Sequence, residues 1–365
     1  MKIYVYAICK NERRFARRWM ESMGEADGVY VLDTGSTDGT PQLLGELGAY
    51  VACREIRPWR FDRARNLSLD LVPQDADLCV CTDLDEVFDK GWRQSLEEAA
   101  RRQPADQFKY RYVWSHDDWG GDGMVFWHDK IHTRRVFRWH YPVHEVLAWQ
   151  GAQPCRVAAV PGVELHHWPD PAKSRGQYLP LLELAAREEP ADPRCAHYLG
   201  REYLYGGQWE KAMEELQRHL SLPRSTWEDE RSASMRYIAR CCEALQQPDE
   251  ALRWFYRSIA EAPRLREGYV ECARHFYGRE NWPGVLLMCE SALAITERST
   301  SYINEAFAWG SEPWDMAAVA AWHLGARARA LRCGTQALAL APEDQRLQQN
   351  LRFYGPEGDS PPGNP

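Results

Sequence analysis

The sequence of 365 residues predicts an α/β domain with a mostly parallel sheet, followed by an all-α solenoid of helical repeats. Over residues 1–90, short apolar runs typical of buried strands alternate with segments of helical periodicity. In the second half, small residues recur at the spacing of a two-helix repeat. We therefore predict domains at residues 1–172 and 173–354, with a disordered tail at 355–365 that is rich in Pro and Gly.

Composition and charge argue against several classes of protein. The net charge of −8 is unlike that of a protein that binds nucleic-acid backbone generally, which needs clustered Lys and Arg. No apolar run approaches the length of a membrane span, and a strand-like segment directly after Met1 and Lys2 makes a signal peptide unexpected. The 11 cysteines include no C-x-x-C pair, so we expect reduced thiols in a cytoplasmic protein.

The first strands and helices of the α/β domain alternate regularly. Strands are predicted at residues 2–9, 29–32 and 50–53, and helices at residues 11–23, 43–47 and 62–72. Such alternation implies parallel strands with right-handed crossovers. The strand ends at Cys9, Asp33 and Asp83 should then line one edge of the sheet, where α/β domains bind their ligands.

The loop after the second strand is rich in Gly, Asp and hydroxyl residues. Residues 33–40 read DTGSTDGT, a composition that predicts a tight strand-to-helix connection with free backbone N–H groups and helix-capping side chains. At the ligand-binding edge of the sheet, such a loop predicts a nucleotide site.

A later apolar run ends abruptly in three carboxylates. Leu78–Cys81 fits a strand buried on both faces, and Asp83, Asp85 and Glu86 follow it. On an extended chain Asp83 and Asp85 leave on the same side, roughly 6–7 Å apart. Paired carboxylates suit Mg²⁺ or Mn²⁺, whose open positions can accept phosphate oxygens. The alternative is a solvated acidic turn, because D-x-D occurs often by chance.

Four segments of the α/β domain are informative when taken together: residues 8–12 (ICKNE), 33–40 (DTGSTDGT), 61–66 (FDRARN) and 82–86 (TDLDE). Their order and spacing resemble those of the family-2 glycosyltransferases. The resemblance covers about residues 1–90 and implies the GT-A fold, a Rossmann-like nucleotide-diphospho-sugar domain with a D-x-D motif. It also implies Mn²⁺ or Mg²⁺ at the diphosphate of the donor.

The resemblance implies a donor-binding role for several residues. Asp33 is expected to hydrogen-bond the base or the ribose. Ala7 and Cys9 are expected to line the base pocket, with Glu12 also in the donor-binding set.

The D-x-D segment and Arg65 complete the donor site that the resemblance implies. Asp85 is the expected direct metal ligand, and Asp83 is expected to bind either the ribose or the metal through water. Arg65 is expected to face the nucleotide. The alternative is a surface arginine paired with Asp62 or Asp70.

Residues 108–170 are expected to hold the sugar and acceptor sites. An Arg-x-Phe-Arg pattern followed by His-Glu resembles glycosyltransferases of this family that carry tetratricopeptide repeats. An inverting transfer needs a general base near the acceptor nucleophile. Glu145 is the first candidate, followed by Asp117 and Asp118 in the loop 115–123, and each has the alternative role of a salt bridge or a loop cap.

Aromatic and imidazole side chains are concentrated in the same stretch. About half of its tryptophans are expected to stack on sugar rings and half to belong to the core; they are Trp114, Trp119, Trp127, Trp139, Trp149 and Trp168. Related GT-A enzymes often supply a late histidine to the metal. Because successive strand residues face opposite ways, one of His166 and His167 can do so, and His167 is favoured over a packed core role.

The second half has the 34-residue tetratricopeptide pattern of two helices with small residues where they cross. The residues that fit it are Gly200, Ala212, Leu216, Ala239, Ala251, Phe255, Ala273, Cys289, Ala292, Ala318, Ala330 and Ala337. A longer insertion containing residues 296–312 precedes the last repeat. The concave surface of such a solenoid suits an acceptor polypeptide, a second copy of the chain in a homodimer, or bracing of the catalytic domain.

These observations predict a cytoplasmic, metal-dependent, inverting glycosyltransferase of hexosyltransferase type. The donor is a nucleoside-diphosphate sugar, with a UDP-sugar favoured, and the acceptor group is a hydroxyl or a thiol. A peptide or protein acceptor would match the peptide-modifying glycosyltransferases of bacteria and phages that the chain resembles, and a saccharide or a modified DNA base are alternatives. A different class of function is a tetratricopeptide scaffold with an inactive glycosyltransferase domain.

Overall fold

The computed structural model describes residues 1–116, 121–170 and 176–355. It divides into two compact units, residues 1–187 and 188–365. The first unit therefore extends beyond residue 172 and takes in most of helix α5 (Tyr178–Glu188). No helix in the described ranges is long and apolar enough to cross a membrane.

The first unit is built on a mixed sheet of eight strands, counted over its described residues. The strands are β1 (Ile3–Cys9), β2 (Gly28–Asp33), β3 (Tyr50–Cys53), β4 (Leu78–Cys81), β5 (Glu86–Phe88), β6 (Gln107–Val113), β7 (Val125–Thr133) and β10 (Val157–His167), in the order β3-β2-β1-β4-β7-β6-β10-β5. Strands β3, β2, β1 and β4 are parallel neighbours, whereas β7 runs antiparallel to both β4 and β6. The predicted α/β sheet is confirmed.

The remaining elements of the first unit surround this sheet. They are helices α1 (Arg13–Met23), α2 (Thr40–Glu46), α3 (Phe61–Leu71) and α4 (Trp92–Arg102), and the antiparallel pair β8 (Phe137–His140) and β9 (Val146–Trp149). Strand β1 is buried on both faces, as a central parallel strand should be. Val5 lies in the same apolar cluster as Trp19 of α1, whereas Tyr6 lies in a second cluster with Leu69 of α3.

The D-x-D segment does not continue the strand that precedes it. Strand β4 ends at Cys81, and Asp83 and Asp85 lie in a turn that leads into β5. The Glu86 amide donates to the Asp83 carbonyl at 3.0 Å, and the Asp83 amide donates to Glu86 Oε2 at 2.8 Å. The expectation of an extended D-x-D segment is therefore wrong, because the Glu86 side chain caps a turn there.

The second unit consists of consecutive helix pairs over its described residues. They are α6 (Pro193–Tyr205) with α7 (Trp209–Ser221), α8 (Glu228–Ala244) with α9 (Pro248–Glu261), α10 (Arg266–Tyr277) with α11 (Trp282–Leu293), and α12 (Glu312–His323) with α13 (Arg327–Leu340), followed by α14 (Gln345–Tyr354). The small residues of the repeat pattern lie where the helices meet. Ala212 and Ala251 are fully buried, and a Cβ on Gly200 would lie 2.6 Å from Leu216 Cγ. The predicted array of two-helix repeats is confirmed.

Candidate functional site

The ends of β1 and β2 form one side of the candidate site. Cys9 and Asp33 are direct neighbours across these strands, and Asp33 is only 2% exposed. Asp33 Oδ1 accepts hydrogen bonds from the amides of Gly35 and Ser36, each at 3.0 Å, and Cys9 Sγ donates to Asp33 Oδ2 at 3.4 Å. Gly35 has φ 111°, a conformation that favours glycine. Asp33 therefore holds the loop closed at the edge of the sheet.

The same loop is bound to the start of α1. The Asn11 amide donates to Ser36 Oγ at 2.8 Å, and the Glu12 amide donates to Thr40 Oγ1 at 2.9 Å. Glu12 is buried, as are Cys9 and Ala7, and Ala7 belongs to the core cluster of the sheet. The structure thus brings these residues to one edge, while their roles in donor binding stay predictions.

Arg65 is the centre of a second group. It is 4% exposed on α3, and its Nε donates to Glu145 Oε1 at 2.6 Å. Its Nη2 donates to both carboxylate oxygens of Asp83, at 2.8 and 3.0 Å. Burial lowers the pKa of Arg65, but Asp83, Cys81 and Glu145 raise it by more, so the group stays charged. Arg65 therefore joins two residues that the sequence predicted for different roles.

The alternative role for Arg65 as a surface arginine is wrong. Asp62 is paired with Arg60 at 2.8 Å, and Asp70 is paired with Arg138 at 3.2 Å. Arg65 instead lies buried beside the D-x-D turn, with its guanidinium 5.2 Å from the centre of the Trp139 ring.

Sequence reasoning missed Lys130 and the part played by Glu86. Lys130 Nζ on β7 lies 3.3 Å from Asp83 Oδ2 and 3.5 Å from Glu86 Oε1, and the Tyr112 hydroxyl donates to Glu86 Oε1 at 2.7 Å. Burial lowers the pKa of Lys130, but Glu86 and Asp83 raise it by more. A single lysine in the mixed polar and apolar segment of β7 was the signal that the sequence offered. It did not show which carboxylates lie opposite.

Asp85 is paired with His167 at the end of β10. His167 Nε2 lies 3.6 Å from Asp85 Oδ2, and the Trp168 amide donates to the Asp85 carbonyl at 2.8 Å. His167 Nδ1 lies 3.1 Å from the Trp114 carbonyl oxygen, and the rings of these two residues are stacked. Burial lowers the pKa of His167, but Asp85 raises it by more, so the net pKa lies above its ordinary value.

The tryptophans of this region divide by exposure. Trp114 is 43% exposed, Trp127 38% and Trp168 39%, whereas Trp139 is buried with 4%. Trp139 Nε1 donates to the Tyr6 hydroxyl at 2.9 Å, which makes it a core residue. Trp119 lies outside the described residues, as do the two loop aspartates considered as bases, Asp117 and Asp118.

The geometry separates the two carboxylates of the D-x-D segment. Asp83 is held by two cations, Arg65 and Lys130, whereas Asp85 faces the imidazole of His167. Carboxylate oxygen and imidazole nitrogen together can ligate a divalent transition ion. Among the predicted ligands, Asp85 and His167 are thus the pair whose oxygen and nitrogen atoms face each other, while their role as metal ligands stays a prediction.

A comparison with known protein families matches part of the first unit. Residues 4–151 match the family described as "Glycosyl transferase family 2". No curated protein sequence matches the chain.

Solved structures that match part of the chain include MamA, PilF of Pseudomonas aeruginosa and YrrB, the last described as a TPR protein with an unusual peptide-binding site. MamA is 13% identical, with 48% of this chain and 97% of that chain covered and a TM-score of 0.38. PilF is 15% identical, with 47% of this chain and 70% of that chain covered and a TM-score of 0.37. YrrB is 15% identical, with 48% of this chain and 82% of that chain covered and a TM-score of 0.35. At such scores these similarities carry no argument about function.

Proposed function

We propose that the protein transfers a sugar from a nucleoside-diphosphate sugar to an acceptor hydroxyl or thiol with inversion, and the match of residues 4–151 to "Glycosyl transferase family 2" supports this proposal. A UDP-sugar is the favoured donor, and the transferred group is a hexosyl residue. The observation that carries the proposal is the pairing of Asp85 with His167 beside the Arg65, Asp83 and Glu145 cluster.

Asp85 and His167 are the proposed ligands of a divalent cation, Mn²⁺ or Mg²⁺. Their facing oxygen and nitrogen atoms lie 3.6 Å apart, and an imidazole ligand favours Mn²⁺ over Mg²⁺. A cation held by these two residues would supply positive charge to balance the diphosphate leaving group.

Asp83 has a different proposed part. Its oxygens accept hydrogen bonds from Arg65 and lie near Lys130, so these two cations compete with a metal ion for them. We assign Asp83 to the ribose, or to the metal through water, and to holding Arg65 in place. Asp33 is the proposed contact to the base or ribose, supported by its position at the β1–β2 edge.

Glu145 is the proposed general base. Its Oε1 accepts from Arg65, which leaves Oε2 to take the proton of the acceptor group. The acceptor oxygen or sulfur then forms a bond to the anomeric carbon, the bond to the phosphate oxygen breaks, and its electron pair leaves with the diphosphate. Asp117 and Asp118 are second candidates on the loop 115–123.

A peptide or protein is the proposed acceptor, supported by the repeat architecture of the second unit, since repeats of this kind provide an extended surface for a polypeptide. A saccharide and a modified DNA base are the alternatives. The cytoplasmic location and a homodimer through the repeats stay predictions.

The test is turnover of a panel of nucleoside-diphosphate sugars with Mn²⁺, Mg²⁺ or chelator. Wild-type protein is expected to hydrolyse or transfer from one nucleotide class, and Asp85→Asn to lose at least 100-fold in rate. The matched control is Asp70→Asn, an exposed aspartate of α3 paired with Arg138. Equal rates in Asp85→Asn and wild type, or no binding of any nucleotide, would favour the scaffold alternative.

A further inference from the structure

We infer that the first unit holds a second divalent-metal site, formed by His116, Asp122 and His166 and called the rim site here. Each of these residues offers one ligand atom, and the three atoms lie within 4.8 Å of one another. The inference concerns an ion that the proposed transfer reaction does not use. It therefore goes beyond the proposed function.

Two imidazole nitrogens lie within hydrogen-bond distance of each other in the rim site. His116 Nε2 lies 3.0 Å from His166 Nδ1. Two nitrogen lone pairs at this distance repel each other unless one nitrogen carries a hydrogen that points at the other, or a metal ion lies between them. The backbone brings the third ligand to the same place, because Asp122 forms an antiparallel bridge with His116.

The other nitrogen of His166 indicates which form the ring takes. His166 Nε2 lies 3.2 Å from Glu164 Oε1 and 3.6 Å from Asp89 Oδ1. Two carboxylates stabilise a proton on Nε2, so Nδ1 carries the lone pair that faces His116. Histidines that ligate metals usually donate their second N–H to a carboxylate in this way. The rim site thus has an outer carboxylate partner as well as ligands.

Further contacts hold the ligands in place. Arg111 pairs with both Glu164 and Asp122, so one guanidinium joins the outer carboxylate to a ligand carboxylate. The His116 ring is stacked on Trp168, with centroids 3.7 Å apart and planes 5° from parallel. The carboxylates outnumber the single guanidinium, which leaves excess negative charge for a cation to balance. Asp122 is partly exposed, which leaves the site open to an ion from solution.

The donor atoms select the class of ion. Two imidazole nitrogens and one carboxylate oxygen suit Zn²⁺ or Co²⁺, whereas Mg²⁺ and Ca²⁺ prefer oxygen alone. Successive residues of β10 alternate, so His166 serves the rim site while His167 faces Asp85. An ion at the rim site would tie residues 116 and 122 to β10. The stretch between them contains Asp117 and Asp118.

The experiment measures metal binding without any sugar donor, so its outcome is independent of the transfer reaction. Full-length protein is stripped with chelator and titrated with Zn²⁺ in equilibrium dialysis, and with Co²⁺ while its visible absorption is recorded. The Asp85→Asn variant, in which the proposed donor-site ligand is removed, is expected to retain one ion. Adding His116→Ala to that variant is expected to abolish this binding and the Co²⁺ absorption.

Two further variants keep the test decisive if His116→Ala disturbs folding. Glu164→Gln keeps the size of the outer side chain and is expected to weaken Zn²⁺ binding about 10–100-fold. The matched control is His140→Ala, an exposed histidine on β8, which is expected to bind Zn²⁺ like wild type. Zn²⁺ binding that is absent from Asp85→Asn, or unchanged by His116→Ala and Glu164→Gln, would overturn the rim site and leave a hydrogen bond between the two histidines.

Discussion

Arg65 in the first unit and Arg236 in the helical unit are both buried arginines that hold two carboxylates. Arg65 pairs with Asp83 and Glu145, and the side chain of Asp83 is 30% exposed. Arg236 is 1% exposed and pairs with Glu271, itself 3% exposed, and with Glu305 of the insertion before α12. The chemistry is alike, and each network has one partly exposed carboxylate, Asp83 at 30% and Glu305 at 25%, so the two differ in what they hold in place and not in exposure.

The difference shows why a buried ion pair is not by itself a sign of catalysis. The network around Arg236 has a structural role, because it holds the insertion against α8 and α10. The network around Arg65 ends at the D-x-D turn, where Asp85 and His167 face each other. Desolvation makes either network costly to break, yet only the second should change chemistry when altered.

The largest expected effect is on stability, in the network around Arg236. Glu271→Gln removes the carboxylate that pairs with both Arg236 and Arg240 and leaves a buried guanidinium poorly compensated. We expect the free energy of unfolding of the helical unit to fall by about 3–5 kcal/mol, measured by urea denaturation. The surface control Glu250→Gln, which breaks an exposed pair with Arg253, should change it by at most about 1 kcal/mol. Similar losses in the two variants would contradict the comparison.

The next largest effect is on the rate of sugar transfer, in the network around Arg65. Arg65→Lys keeps the charge but cannot bridge Asp83 and Glu145, so the two carboxylates lose their common support. We expect kcat for the sugar donor to fall about 100-fold, because small displacements of reacting groups slow a reaction by this much. The loss of stability should be smaller than in Glu271→Gln. The control is Arg63→Lys, because Arg63 lies two residues before Arg65 on α3 and is exposed. An unchanged kcat in Arg65→Lys would remove this network from the mechanism.

Local patterns were enough to predict the edge formed by Cys9 and Asp33, because each lies at the end of its own strand. They could not predict the pairing of Arg65 with Glu145, which are 80 residues apart, or of Lys130 with Asp83, which are 47 apart. Such pairs depend on the order of strands in the sheet, and sequence spacing carries no information on that order. The D-x-D turn was missed because alternation was extended past the true strand end at Cys81.

Two histidines, one in each unit, sharpen the comparison further, because their pKa values are shifted in opposite directions. Burial lowers the pKa of His197 in the helical unit to about 3, whereas that of His167 is raised, since Asp85 outweighs its burial. The contribution of His167 to stability is present below its unfolded pKa and is lost as pH rises through its folded pKa. His197 behaves in the opposite way, because the unfolded chain takes up a proton that the folded chain excludes.

The smallest expected effect is therefore a slope with pH in the helical unit. As pH falls from the unfolded value of 6.5 towards about 3, the free energy of unfolding should drop by up to about 1.4 kcal/mol per pH unit through His197. Glu230, whose pKa is lowered to about 2 because its bond to His219 outweighs burial, adds to the same trend below pH 4.5. His197→Asn cannot take up the proton and should flatten the slope between pH 6.5 and 5 in urea titrations. The exposed control His323→Asn should keep the wild-type slope of unfolding free energy with pH. Equal slopes in His197→Asn and wild type would mean that His197 takes up its proton in the folded state as readily as in the unfolded chain.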